Sequence, residues 1–272
     1  MPGTVITITS GKGGVGKTTV TANLAVALAL QSQHVAAIDT DIGLRNLDVV
    51  MGLEDHIIYD IVDVVRGHCH LSQALIRDKR LSGLQLLPAS QTHDKSAVTP
   101  QEIAIISQEL AANNDFVLID SPAGIEMGFQ NAVAGADEVV IVTTPEMSAV
   151  RSADRIIGLI EAAGKGPGRL IINRINPGMV RRGDMLNTFD VIEFLAIDLL
   201  GVIPEDEAVI VATNQGRPLA FEQSRPISRA FHNIAHRLLG EDIPFLPIFE
   251  EPAETILTRL QRFFRLRQSG PR

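Results

Sequence analysis

Gly11-Lys12-Gly13-Gly14-Val15-Gly16-Lys17-Thr18-Thr19 is the stretch from which the rest of the chain can be read. It satisfies a phosphate-binding pattern of Gly, four residues, Gly, Lys and Ser or Thr. Each residue type has a chemical reason. The glycines let backbone N–H groups turn inward around phosphate oxygens, Lys17 neutralises β- and γ-phosphates, and Thr18 offers a hydroxyl to Mg²⁺. The β-branched run Val5-Ile6-Thr7-Ile8 precedes the loop and a helical stretch over 17–31 follows it, which is the context such a loop requires.

Working outward, similar short runs recur as Val35-Ala36-Ala37-Ile38, Leu84-Gln85-Leu86-Leu87, Phe116-Val117-Leu118-Ile119, Val139-Val140-Ile141-Val142, Leu170-Ile171-Ile172 and Leu200-Gly201-Val202-Ile203. They are too continuous for half-exposed strands, so they predict a parallel sheet covered on both faces. Helical readings over 101–113, 147–163 and 226–239 alternate with them. The expectation is an α/β, doubly wound, mostly parallel sheet of seven or eight strands in one nucleotide-binding domain over 1–245. The proline- and acid-rich stretch over 246–252 reads as a linker, and 253–272 as a separate tail.

Composition bounds the rest. With 45% apolar residues among 272, the chain is not intrinsically disordered. A net charge of −8 argues against a protein that coats nucleic acid, which needs clustered Lys and Arg. Arg259, Arg262, Arg265, Arg267 and Arg272 face only Glu254 in the tail, so the body carries about −12 and no specific nucleic acid is expected. The single cysteine, Cys69, excludes an internal disulfide, a thiolate zinc site and a lone iron–sulfur cluster. No apolar run is long enough to span a bilayer, and Met1 to Thr9 alternates like a strand without a cationic leader; the expected location is the cytoplasm and the cytoplasmic face of the membrane.

Three acids stand at strand ends, where an α/β sheet gathers its ligand site: Asp39 and Asp41 after the second run, and Asp120 before Ser121-Pro122-Ala123-Gly124. A hydrolytic site needs one carboxylate to hold the metal or its waters and another to orient the attacking water. A competing reading takes Gly11, Gly13 and Gly16 as a dinucleotide fingerprint with Asp39 on a ribose. That reading leaves Lys17, Thr18 and Asp120 without a use. Guanine recognition by Asn-Lys-x-Asp would need an acid where the chain has Asn173-Arg174-Ile175-Asn176, so adenine is favoured, with Asn173 as an amide partner.

Lys12, one residue into the loop, makes Lys12 to Thr19 resemble the deviant Walker A family of dimeric P-loop ATPases. That resemblance implies an ATP-bound homodimer in which Lys12 crosses to the partner's triphosphate, Asp41 orients water, Asp39 and Asp120 support Mg²⁺, and Gly124 senses the γ-phosphate. Further stretches resemble the septum-site-determining branch of the family. These are Asp41 to Asp48, Asp120 to Glu126, Asn173-Arg174, Asn176-Pro177-Gly178, Gly201 to Asp206 and Asn214-Gln215-Gly216. They imply adenine held by Asn173 and the Pro204 loop, and a 144–157 segment that helps bind a division inhibitor, MinC, and a stimulatory partner, MinE. Ser152 departs from the Asp that family members often carry there.

On a helix, Ile256, Leu257, Leu260, Phe263 and Phe264 share one apolar stripe about 120° wide, with Arg259, Arg262 and Arg265 opposite. That is the pattern of an in-plane membrane helix attracted by anionic lipid. One such helix binds weakly, and two in one dimer gain roughly 10² to 10⁴ in avidity. Rivals are a partition ATPase, a flagellar-number ATPase with a similar tail, and a scaffold that binds ATP without hydrolysing it. His68-Cys69-His70 and the pair His232 and His236 are weak metal candidates that lack distal ligands or a general-base Glu.

Overall fold

The computed structural model describes residues 2–124 and 127–246. Tail residues Ile256, Leu257, Arg259, Leu260, Arg262, Phe263, Phe264 and Arg265, and the linker beyond Leu246, lie outside them.

Among the described residues eight strands form one sheet: β1 (Thr4–Thr9), β2 (Val35–Asp39), β3 (Ile76–Arg77), β4 (Leu84–Leu87), β5 (Phe116–Asp120), β6 (Glu138–Thr143), β7 (Arg169–Ile175) and β8 (Asp198–Pro204). Their order is β3-β4-β2-β5-β1-β6-β7-β8. Every pairing is parallel except β3 with β4. The seven apolar runs each became a strand. The two-residue β3 is too short to leave a pattern in the sequence.

Both faces are buried, as the continuous runs require. Ile6, Ile8, Leu118 and Val140 point to one side and pack with Leu24, Leu28, Phe231 and Ile234 of the helices Lys17–Leu30 and Pro226–Leu238. Their neighbours Val5, Val117 and Ile119 point to the other side, against Ile103, Ile106 and Leu110 of the helix Pro100–Ala111. Val139, Ile141 and Ile172 meet the helix Met147–Ala162 there. The helix Pro100–Ala111 starts one residue ahead of the expected 101 because Thr99 and Glu102 form a capping box and Pro100 takes the first turn.

The central strand β1 lies between β5 and β6, so the chain leaves it in one direction toward β2 and later returns on the other side. The crevice at the carboxyl ends of these strands is where such sheets take a ligand. Among the described residues, no helix is long and apolar enough to cross a membrane.

Candidate functional site

The loop between β1 and the helix Lys17–Leu30 is shaped by close approaches as much as by torsion. Gly16 ends it at φ +95°, and a Cβ there would fall 2.5 Å from Asn173 Nδ2. A Cβ on Gly11 would fall 2.0 Å from the Ser152 carbonyl oxygen, so backbone touches backbone at this point. Any larger residue would push the loop off the helix Met147–Ala162. Gly13 and Gly14 are exposed, and Val15 is buried as the loop's anchor in the core. Gly124, at φ +95°, donates its N–H to the Ser10 carbonyl, which holds the turn after β5 against the same loop.

Lys17 opens the helix and is buried. Burial pushes its ammonium below the ordinary lysine range, while Asp120 and Asp41 pull it back up. Asp120 and Asp39 end adjacent strands in register with each other. Both carboxyls are pushed up by burial, Asp120 to about 6 and Asp39 to about 7, the latter also raised by the Asp120 charge. Thr18 and Thr21 hydroxyls and Lys17 work against the rise at Asp120. Thr21 Oγ1 lies 3.1 Å from Asp120 Oδ1 and 3.0 Å from the Lys17 carbonyl.

Asp39 has a second duty that the sequence did not disclose. Its Oδ1 accepts the Asp41 N–H, and its Oδ2 accepts those of Asn46 and Leu47, at 2.9 to 3.1 Å. It therefore braces the 40–47 loop and the start of the helix Leu47–Met51. Asp41 hangs from that loop, half-buried, with its Oδ1 enclosed and without a hydrogen-bond partner; Lys95 and Lys17 draw its pKa down against the rise from burial.

Buried carboxylates held partly protonated, an enclosed Asp41 oxygen and the Thr18 hydroxyl make a hard-oxygen set short of positive charge. That set fits Mg²⁺. Among the described residues no group of three His, Cys, Asp or Glu gathers as an all-protein metal cage. The histidine candidates resolve otherwise. His68 pairs with Asp63, His236 with Glu241, and His232 Nε2 donates to the Ala220 carbonyl.

Beside the loop opens a cavity of about 530 Å³. Gly16 and Thr19 form one wall, Asn173 and Pro204 another, and Phe231 lies against it from the final helix. The volume suits a small ligand. Asn173 Nδ2 donates to the Val15 carbonyl, and its Oδ1 accepts the Arg174 N–H. An amide carries two N–H groups, so a second donor remains for a ligand.

The residues 6–219 match the CobQ/CobB/MinD/ParA nucleotide-binding domain. Across 267 residues the chain is 52% identical to the septum site-determining protein MinD of Bacillus subtilis, covering 97% of this chain and 99% of that protein. The chain belongs to the MinD family. The Thermotoga maritima member is 46% identical over 98% of this chain and its own full length. A solved MinC:MinD cell division protein complex from Aquifex aeolicus superposes with a TM-score of 0.83 at 46% identity, over 89% of this chain and 98% of that one. The family member of Pyrococcus horikoshii, solved with Mg-ADP, gives 0.78 at 30% identity over 86% and 95%.

The structure thus places the 11–19 loop with Asp39, Asp41, Asp120 and Gly124 around it, and sets Asn173 and Pro204 beside its Gly16 and Thr19. Lys12 stands apart. Its side chain is exposed, with Nζ 3.0 Å from Ser148 Oγ and 3.5 Å from Glu146 Oε2. Thr21 escaped the sequence reading, although it lies one helical turn after Lys17 and so on the same face. Arg174, Glu205 and Asp206, which lie within the quoted stretches, also line the cavity, together with Glu207, which no motif marked.

Proposed function

We propose that the protein is a Mg²⁺-dependent ATPase that works as a positional switch. It pairs into a homodimer with ATP bound, holds the cytoplasmic face of the membrane through residues 253–272, and recruits a division inhibitor to govern septum placement. The observation that carries this reading is a buried Lys17 set against Asp120 and Asp41 beside a cavity that suits a small ligand, while a second loop lysine stays on the surface.

Phosphoryl transfer asks the protein mainly for position and charge. Lys17 and the N–H groups of the 11–16 loop bind the β- and γ-phosphates. Thr18, Asp120 and Asp39 hold Mg²⁺, which supplies countercharge to the phosphoryl oxygens. Asp41, whose enclosed oxygen has no protein partner, orients the attacking water. Asn173 and the Pro204 loop enclose adenine. Lys12 acts in trans, reaching the partner's triphosphate as an arginine finger does, so that an isolated copy turns over slowly.

Dimerisation brings two weak tail helices together, and avidity makes the pair a firm attachment to anionic lipid. Hydrolysis parts them. The MinC:MinD complex of the Aquifex relative supports a MinC-type partner, and MinE is the expected stimulator. The 144–157 segment is the proposed docking region, and its Glu146 and Ser148 already touch Lys12.

Sedimentation of the full chain with anionic vesicles tests the reading. Binding should be strong with a non-cleavable ATP mimic, weak with ADP, and lost on deletion of 253–272 with ATP binding intact. Equal vesicle binding in both nucleotide states, or a chain that stays monomeric when saturated with the mimic, overturns it.

A further inference from the structure

Arg80 lies between β3 and β4, outside the site described above. Each of its nitrogens has a protein partner, although the side chain is 36% exposed. Nε donates to both oxygens of Asp78 at 2.9 and 3.2 Å, and Nη2 donates to Asp78 Oδ2 at 2.6 Å. Nη2 also donates to the Met51 carbonyl, and Nη1 to the Gly216 carbonyl at 3.0 Å. The plane lies over the Phe221 ring, 4.8 Å from its centroid. Asp78 is buried and Arg80 partly exposed, so the five hydrogen bonds, not exclusion of water, fix the guanidinium.

Met51 ends the helix Leu47–Met51, and Gly216 lies two residues past the helix Ala208–Asn214. These ends meet without side chains between them. A Cβ on Gly52 would lie 2.3 Å from the Gly216 carbonyl oxygen, and one on Gly216 would lie 2.4 Å from Gly52 Cα. Both glycines sit in the left-handed region, at φ +68° and +58°. Helix ends leave carbonyls unpaired, and a planar guanidinium can serve a carboxylate and two carbonyls at once, which a lysine ammonium cannot.

The far ends of the same helices reach the two halves of the crevice. Asn46 and Leu47, at the start of the first, donate to Asp39. Val209 and Ile210 of the second line the cavity. The pair thus forms a continuous strut from the base cavity to the loop that carries Asp41.

We propose that Arg80 is a positioning residue that couples filling of the base cavity to placement of the Asp39–Asp41 loop. This rests on the reading of the cavity as the base site. With backbone in contact at Gly52 and Gly216, a helix 208–214 steadied by the base steadies the 46–52 segment, provided Arg80 keeps the junction closed.

Hydrogen exchange on the full chain separates the terms, with Mg²⁺ and either a non-hydrolysable ATP analogue or tripolyphosphate, which fills the phosphate loop and leaves the base cavity empty. In the wild type the analogue slows exchange over 205–216, and slows 46–52 more than tripolyphosphate does. In Arg80→Ala and Arg80→Lys the slowing over 205–216 remains, while the extra protection of 46–52 falls about tenfold and turnover falls more than KM changes. The lysine variant keeps the charge against Asp78 and decides the matter if the alanine variant does not fold. Extra protection of 46–52 that persists in either folded variant overturns the proposal. No slowing over 205–216 in the wild type instead removes the base-site reading, and the coupling with it.

Discussion

Lys12 and Lys17 belong to one loop and occupy opposite electrostatic environments. Lys17 is buried and desolvated, with the charges of Asp120 and Asp41 favouring its ammonium form. Lys12 is 44% exposed and loosely held by Glu146 and Ser148. A desolvated cation interacts strongly with whatever enters beside it, because little water competes. An exposed one is screened, and gains strength only when another surface closes over it. The loop therefore carries one charge ready for the chain's own ligand and one whose strength depends on a second molecule.

The largest effect should come from removing the buried charge. Lys17→Ala takes away a charge-assisted contact to phosphate and leaves Asp120 and Asp41 without their shared cation. Calorimetric titration with a non-hydrolysable ATP analogue should show affinity reduced by about a hundredfold, with no measurable turnover. An affinity within a few-fold of wild type would break the contrast at its stronger end.

Lys12→Ala should divide binding from turnover. Affinity for the analogue should stay within about threefold, since the side chain faces the surface, while vesicle-stimulated phosphate release should fall tenfold or more, below the ~10³ of a trans arginine. Mixing Lys12→Ala with an Asp41→Asn chain sharpens the test. If Lys12 acts in trans, the mixed dimer regains part of the activity that each variant lacks alone. Unchanged turnover in Lys12→Ala removes the trans role.

What the sequence disclosed follows the same division between local and distant. The phosphate loop was legible because its fixed Gly, Gly, Lys and Thr fall at set spacing between a strand and a helix, and the strands were legible because each is covered on both faces. Asp39 and Asp120 were picked out because they end such strands, and Asp41 because it follows Asp39 by two residues. The three backbone N–H groups on Asp39 were not foreseen, since they depend on the path of the 40–47 loop. Of the cavity proposed for the base, the sequence marked Asn173, the Pro204 loop and, within the phosphate loop, Gly16 and Thr19. Its other walls, among them Ile210 and Phe231, come from segments far apart in the chain that only the fold assembles.

A smaller effect concerns the two acids beside Lys17. Asp39 and Asp120 hold protons more tightly in the folded chain than their ordinary value of 3.8 allows, at about 7 and about 6. Their contribution to stability is therefore full below pH 3.8 and is lost as pH rises through 6 and 7. Without nucleotide or Mg²⁺, the melting temperature should fall by a few degrees between pH 5 and pH 8. Burial lowers the His232 pKa, which works in the opposite sense below pH 6.5, so the test is the difference between wild type and Asp120→Asn. The variant should show the flatter profile. Mg²⁺ with nucleotide should oppose the slope in the wild type, because a metal site favours deprotonated ligands.

The smallest effect should come from Glu146→Gln. Glu146 Oε2 lies 3.5 Å from Lys12 Nζ, and the two side chains are 60% and 44% exposed. Water and salt screen such a pair, and the entropy of holding two long side chains offsets the attraction, leaving about 0–1 kcal/mol. The melting temperature should thus move by no more than about 2–4 °C, and added salt should shrink even that difference. Ser148 would still accept from Lys12 Nζ, which limits the loss further. A larger shift that survives high salt would mean that Lys12 is anchored within its own chain, and the distinction between the two lysines would then be one of degree.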